Sequence, residues 1–210
     1  MITYPIMLNL QARPVLVVGG GRVGLRKALA LAAAGAKVTL VAGKTGPKDN
    51  RGDPNITTLA EDYDSRHVQG AVLVLACTDD HHVNRRVADN ARRAGALVNV
   101  ADCPELCDFF LPAAARDGDV VLAVGTGGAA PSLAVRLRDE LAAALPGGSG
   151  EFAAVLARLR DKVQAGVADA ARRQEMMRKL ASRETFDLFR GKGEQAVIEL
   201  ADILVSGRTG

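Results

Sequence analysis

The first 48 residues contain no acidic side chain, whereas Arg13, Arg22, Arg26, Lys27, Lys37, Lys44 and Lys48 all fall there. Such an imbalance is either a field that draws a phosphorylated or polycarboxylate ligand, or an ordinary solvated basic surface. The chain as a whole carries only +3, too little to demand an anionic polymer. Tryptophan is absent and aromatics make up 3% of the 210 residues. Broad stacking platforms for nucleic acid are thereby excluded. The core must be built from Ala, Val and Leu, which a sequence 48% hydrophobic supplies. Cysteine is scarce and odd in number: Cys77, Cys103 and Cys107. That set makes no disulfide framework and fits a reducing compartment. Cys103 and Cys107 lack the paired spacing of a zinc site, so no metal site is expected. There is no charged N-terminal region followed by an apolar run and a cleavage site. Nor does any apolar stretch reach the ~20 residues of a membrane span. The expectation is a cytoplasmic protein bound to neither membrane nor nucleic acid.

What is present begins with PVLVV (14–18), a valine-rich run of the kind found in strands buried on both faces. Gly19-Gly20-Gly21-Arg22-Val23-Gly24 follows at once. LRKALALAAAG (25–35) reads as a helix stopped by Gly35, and AKVTLV (36–41) as a second strand. Residues 43–54 are loop chemistry, rich in Gly, Pro, Asp and Asn. Further strands are expected over 56–59, 71–76, 97–100 and 120–124. A helix over 81–94 has N-cap candidates in Thr78, Asp79 and Asp80 and a stop at Gly95. Another helix is expected over 131–145. Pro146 to Gly150 reads as a linker, and residues 151–205 read as helical throughout. That tail has many apolar residues and no obvious core of its own, so it is expected to pack between subunits.

Gly19-x-Gly21-x-x-Gly24 between a strand and a helix fits a dinucleotide turn. The glycines let the backbone turn tightly and approach a pyrophosphate seated on the positive end of the helix. An ordinary glycine-rich turn is the plainer alternative. One element of the fingerprint is missing, because the second strand ends in Val41-Ala42-Gly43-Lys44 with no carboxylate for the ribose. Lys44 in that place suits a 2′-phosphate, so NAD against NADP stays open on these residues. In open α/β sheets ligands lie beyond the carboxyl ends of strands. Three groups are expected there: Cys77 to Asp79, Asn99 to Asp102, and Gly125 to Gly128. Asp102 suits a general acid or base, or a helix or turn cap. His81 and His82 point about 100° apart on a helix and read as an exposed helix start. His67 is assigned no role.

The order PIMLNL, VLVVGGGRVGLRKA, ACTDDHHVN, VNVADCPELCDFFLPA, LAVGTGGAAPSLA resembles the precorrin-2 dehydrogenases of siroheme synthesis. These occur as stand-alone enzymes and as the N-terminal module of fused siroheme synthases. The resemblance runs over about 5–145. It implies a Rossmann-type α/β domain over 1–112, a dimerisation region over 113–146 and a helical C-terminal domain over 147–210. It implies oxidation of precorrin-2 to sirohydrochlorin with NAD⁺, insertion of Fe²⁺ in some members, and a homodimer. Cofactor contacts are implied at Arg22, Val23, Gly43, Lys44 and Thr78, beside Gly19 and Gly21 of the glycine turn, and a catalytic role for Asp102. The family also lacks the ribose acid, which favours NAD. Gly24 stands where the family often has Ala, a harmless reduction in size. Thr126 stands where some fused members have a modifiable Ser, so that modification is not expected. No methyltransferase module is expected after the helical tail. The competing class is a non-catalytic Rossmann regulatory module, which would bind NAD without needing an acid at 102.

Overall fold

A computed structural model describes residues 3–43 and 52–206. The chain divides into two compact units, Met1–Leu111 and Pro112–Gly210.

The first unit is a parallel sheet of five strands: β1 (Pro14–Val18), β2 (Lys37–Val41), β3 (Ile56–Leu59), β4 (Leu73–Ala76) and β5 (Leu97–Val100). Their order is β3-β2-β1-β4-β5, and every pairing is parallel. α1 (Arg22–Ala33) and α2 (His81–Arg93) cover opposite faces. This explains the unbroken apolar runs, since Val15 to Val18 and Leu73 to Ala76 are buried on both sides. α1 turns Gly24, Ala28, Leu31 and Ala32 inward. α2 turns Asn84, Val87, Ala88 and Ala91 inward. Both stripes have helical spacing and mostly small residues, which lets the helices lie close to the sheet. The chain order reverses between β1 and β4. The crevice at their carboxyl ends is therefore the switch point where such sheets bind ligands.

The second unit starts with a hairpin, β6 (Ala113–Asp117) and β7 (Val120–Val124), paired antiparallel. The run 120–124 expected as a strand is thus found, but outside the parallel sheet and beside a partner, 113–117, that the pattern did not reveal. AAARD has neither apolar alternation nor β-branched residues, so only its pairing makes it a strand. α3 (Pro131–Ala144) packs on this hairpin and buries only Ala134. Leu133, Val135 and Leu141 remain exposed on it.

Four helices complete the unit: α4 (Ser149–Gly166), α5 (Ala170–Leu180), α6 (Arg183–Lys192) and α7 (Glu194–Ser206). The expectation that this tail lacks a core is corrected. Phe152, Val155, Leu159 and Val163 of α4 close on Leu180, Phe186, Val197 and Ala201. Phe152 and Phe186 meet edge to face at 5.1 Å. Charges interleaved on the outer faces conceal this core in a linear reading. Pro146 to Gly150 is a tight corner in place of a loose linker. The Gly150 N–H donates to Asp117 Oδ2 at 2.9 Å, and a Cβ at Gly150 would lie 2.4 Å from the Asp117 carbonyl oxygen. Among the described residues no helix is long and apolar enough to cross a membrane.

Candidate functional site

The glycine turn leaves β1 at the switch point. The Gly19 N–H donates to Val41 O, and the Cys77 N–H donates to Val18 O. Gly19 has φ +114°, and a Cβ there would lie 2.4 Å from the Cys77 carbonyl oxygen. At Gly24 a Cβ would lie 1.8 Å from the Gly19 carbonyl oxygen, so α1 approaches the turn only because the residue is glycine. Alanine, frequent here in the resembled family, does not fit this turn unless that carbonyl moves. Gly21 is the opposite case. Among the described residues nothing lies within 4 Å of a Cβ built there, and its backbone is extended.

Gly21 is also the N-cap of α1, with no side-chain cap and no acid in the first turn. Among the described residues, the leading N–H groups of α1 therefore have no side-chain acceptor. α2 differs, for Asp80 accepts from the N–H groups of His82 at 2.8 Å and Val83 at 3.2 Å. Those two bonds, Val83 first, hold the Asp80 carboxyl below the usual range. Of two helices starting at one sheet edge, one is sealed by its own carboxylate and the other is left for an anion. A dinucleotide pyrophosphate fits that end. Arg22 and Val23 are its first helical residues, both exposed. Gly43, at φ +70° just past β2, is open in the same way. Lys44 lies outside the described residues.

Thr78 follows β4 and is held by a residue given no role in the sequence reading. Asn84, 3% exposed, accepts from the Thr78 hydroxyl at 2.8 Å and N–H at 3.2 Å, and donates to its carbonyl at 2.8 Å. Its signal was available: a polar residue on the inward stripe of an otherwise apolar helix face.

Asp102 follows β5 in a left-handed backbone, φ +57°, which aspartate tolerates better than most residues. Its loop is closed by Cys107, whose thiol accepts the Val100 N–H and donates to the Val100 carbonyl, both at 3.2 Å. Asp102 is exposed and lines a cavity of about 370 Å³ with His81, His82, Arg85, Cys103 and Glu105. The Cys103 thiol donates to Glu105 at 3.0 Å, which pushes the thiol up and draws the carboxyl down.

Among the described residues, the basic side chains of the acid-free N-terminal stretch do not all share one face. Lys27 turns inward from α1 and donates to Asn99 Oδ1 at 3.0 Å. Asn99 in turn donates to the Phe109 carbonyl at 2.9 Å. Burial pushes the Cys77 thiol up, the Lys27 ammonium beside it opposes that, and Asp102 reinforces it. Lys37 binds Asn55 at the amino end of β2, the far end from the turn. Gly125 to Gly128 fall in the second unit, after a hairpin strand, so they are not a carboxyl end of the parallel sheet. His81 and His82 begin α2, both exposed. Among the described residues no three His, Cys, Asp or Glu converge in a metal-holding group.

Several known proteins resemble the chain. A siroheme synthase of Methylococcus capsulatus is 37% identical over 206 residues, 94% of this chain and 43% of the relative. One of Nitrosomonas europaea is 40% identical over 163 residues, 76% and 34%. Siroheme synthase 1 of Aeromonas salmonicida is 36% identical over 209 residues, 98% and 45%. The chain spans less than half the length of these relatives. A solved structure titled SirC, precorrin-2 dehydrogenase, has the same fold, with a TM-score of 0.76 at 21% identity over 95% of this chain and 99% of that one. Residues 6–113, just over half of the chain, match the family described as putative NAD(P)-binding, and the chain belongs to that family.

Proposed function

We propose that this chain oxidises precorrin-2 to sirohydrochlorin with NAD⁺ in siroheme synthesis. One observation carries the reading. The uncapped glycine turn and the carboxylate of Asp102 stand at one edge of one sheet, after β1 and after β5, with only β4 between those strands. Family membership and relatives named siroheme synthases support it.

The oxidation removes one hydride and one proton. When bound, NAD⁺ supplies the hydride acceptor. Gly19, Gly21 and the leading N–H groups of α1 hold its pyrophosphate, Arg22 and Val23 flank it, and Gly43 and Thr78 contribute contacts from neighbouring strand ends. The Asp102 carboxylate takes the proton that leaves with the hydride. Arg85, His81 and His82 offer partners to an acidic arm of the polycarboxylate substrate, and Thr78, braced by Asn84, keeps the β4 end rigid. Insertion of Fe²⁺ into sirohydrochlorin, with the metal ion as substrate, uses the same carboxylate. The dimerisation region of a homodimer is proposed at 113–146, flanked by domains over 1–112 and 147–210, and the exposure of Leu133, Val135 and Leu141 supports it. The compartment is the cytoplasm, where Cys77, Cys103 and Cys107 stay free thiols.

The test is anaerobic turnover of precorrin-2 with NAD⁺, read as NADH absorbance, followed by Fe²⁺ to detect insertion. NADH production establishes the dehydrogenase. NAD⁺ binding without turnover would overturn it in favour of a regulatory module.

A further inference from the structure

The dinucleotide fingerprint wants a carboxylate at the end of β2 to accept from the ribose, and this chain has Ala42 and Gly43 there. The neighbouring strand brings an acid to the same place. β3 runs beside β2 with Leu59 opposite Val41. Past the ladder, the Ala42 N–H donates to Leu59 O at 2.9 Å and the Gly43 N–H donates to Glu61 O at 3.2 Å. Glu61 is thus the backbone-bonded neighbour of the position the fingerprint leaves without an acid.

Its side chain is held in a fixed direction. Glu61 Oε1 lies 2.9 Å from His67 Nε2, and Oε2 accepts from Arg66 at 2.8 Å. The Asp64 N–H donates to His67 Nδ1 at 3.1 Å, so the imidazole hydrogen sits on Nε2 and points at Glu61. The His67 side chain is 5% exposed, whereas that of Glu61 is 39% exposed. Tyr63 packs on the imidazole with ring centroids 6.0 Å apart, and its hydroxyl accepts from Asn90 at 2.9 Å. A buried ring thus aims a half-exposed carboxylate. Its hydrogen bond is the main cause that holds Glu61 below the usual carboxylate range. Each carboxylate oxygen keeps a second lone pair for a ligand hydroxyl.

We propose that Glu61, aimed by His67, accepts the hydrogen bond of the adenosine ribose 2′-hydroxyl and thereby makes the site select NAD over its 2′-phosphorylated form. A 2′-phosphate would bring like charge against the same carboxylate, and the Arg66 guanidinium that would offset it is already paired with Oε2. The proposal rests on the cofactor reading above.

Calorimetric titration of the full chain with NAD⁺, NADP⁺ and NAD⁺ lacking the adenosine 2′-hydroxyl tests it. The unmutated chain should bind NAD⁺ about tenfold or more tightly than either of the others, the worth of a hydrogen bond to a charged acceptor. Glu61→Gln should weaken NAD⁺ about tenfold and leave NADP⁺ unchanged or tighter, so the ratio collapses. His67→Ala, with Glu61 in place, should narrow the same ratio. Equal affinity of the unmutated chain for the three nucleotides overturns the role of Glu61, as does an equal loss for NAD⁺ and NADP⁺ in Glu61→Gln. A chain that binds none of the three overturns the cofactor reading itself.

Discussion

Replacing Gly21 by valine separates cofactor binding from folding. At Gly21 the backbone has φ −67° and ψ 178°, open to any residue, and a Cβ meets nothing within 4 Å among the described residues. Valine is a poorer N-cap than glycine by about 0.5–1 kcal/mol. Loss of glycine freedom in the unfolded chain returns about 0.4–1 kcal/mol. The fold should therefore hold within about 1 kcal/mol. Binding should not. The valine side chain stands in the space through which a pyrophosphate reaches the first N–H groups of α1. Loss of two bonds from those groups to charged oxygens costs about 3 kcal/mol or more, on the order of 100-fold in affinity. Thermal unfolding and calorimetric NAD⁺ titration of Gly21→Val read the two quantities on one sample. A folded variant with unchanged affinity would refute the assignment. Gly24→Ala inverts the pattern, since its methyl would meet the Gly19 carbonyl oxygen at 1.8 Å. That overpacking should destabilise by about 1–3 kcal/mol and lower the midpoint in urea.

Asp102→Ala should keep NAD⁺ affinity and lose about 10²–10⁴-fold in NADH production, and near-normal turnover would remove Asp102 from the chemistry. Asp80→Ala should destabilise the chain at neutral pH, read as a lower midpoint in urea. The Asp80 carboxyl is held low in the folded chain, so its stabilisation is fully present above the ordinary aspartate value of about 3.9 and vanishes as pH falls through the lowered one. The difference between the two proteins should therefore close in acid, and a constant gap would contradict the cap. Light scattering should report twice the 21.9 kDa chain mass, and Leu141→Arg should shift it toward the monomer; a parent chain that is monomeric at micromolar concentration would sink the dimer.

Local chemistry alone determined much of the first unit. Apolar runs such as PVLVV and LVLA can only be satisfied when buried on both faces, small residues at helical spacing demand a close helix, and Gly24 sits where the Gly19 carbonyl leaves room only for a hydrogen atom. Those requirements operate within a few residues of the chain, so they are legible in order. The position of Asp102 at a strand end follows from the same local pattern. Three other outcomes rest on pairings that no single segment's pattern records, and only the tertiary structure decided them. The inward turn of Lys27 toward Asn99 dissolves the apparent basic face, because α1 and β5 become neighbours only once β4 is inserted between β1 and β5. The pairing of AAARD with VVLAV makes a strand from a segment with no strand signal of its own. The approach of Glu61 to Gly43 comes from β3 lying beside β2, an adjacency that strand order creates and sequence spacing does not record.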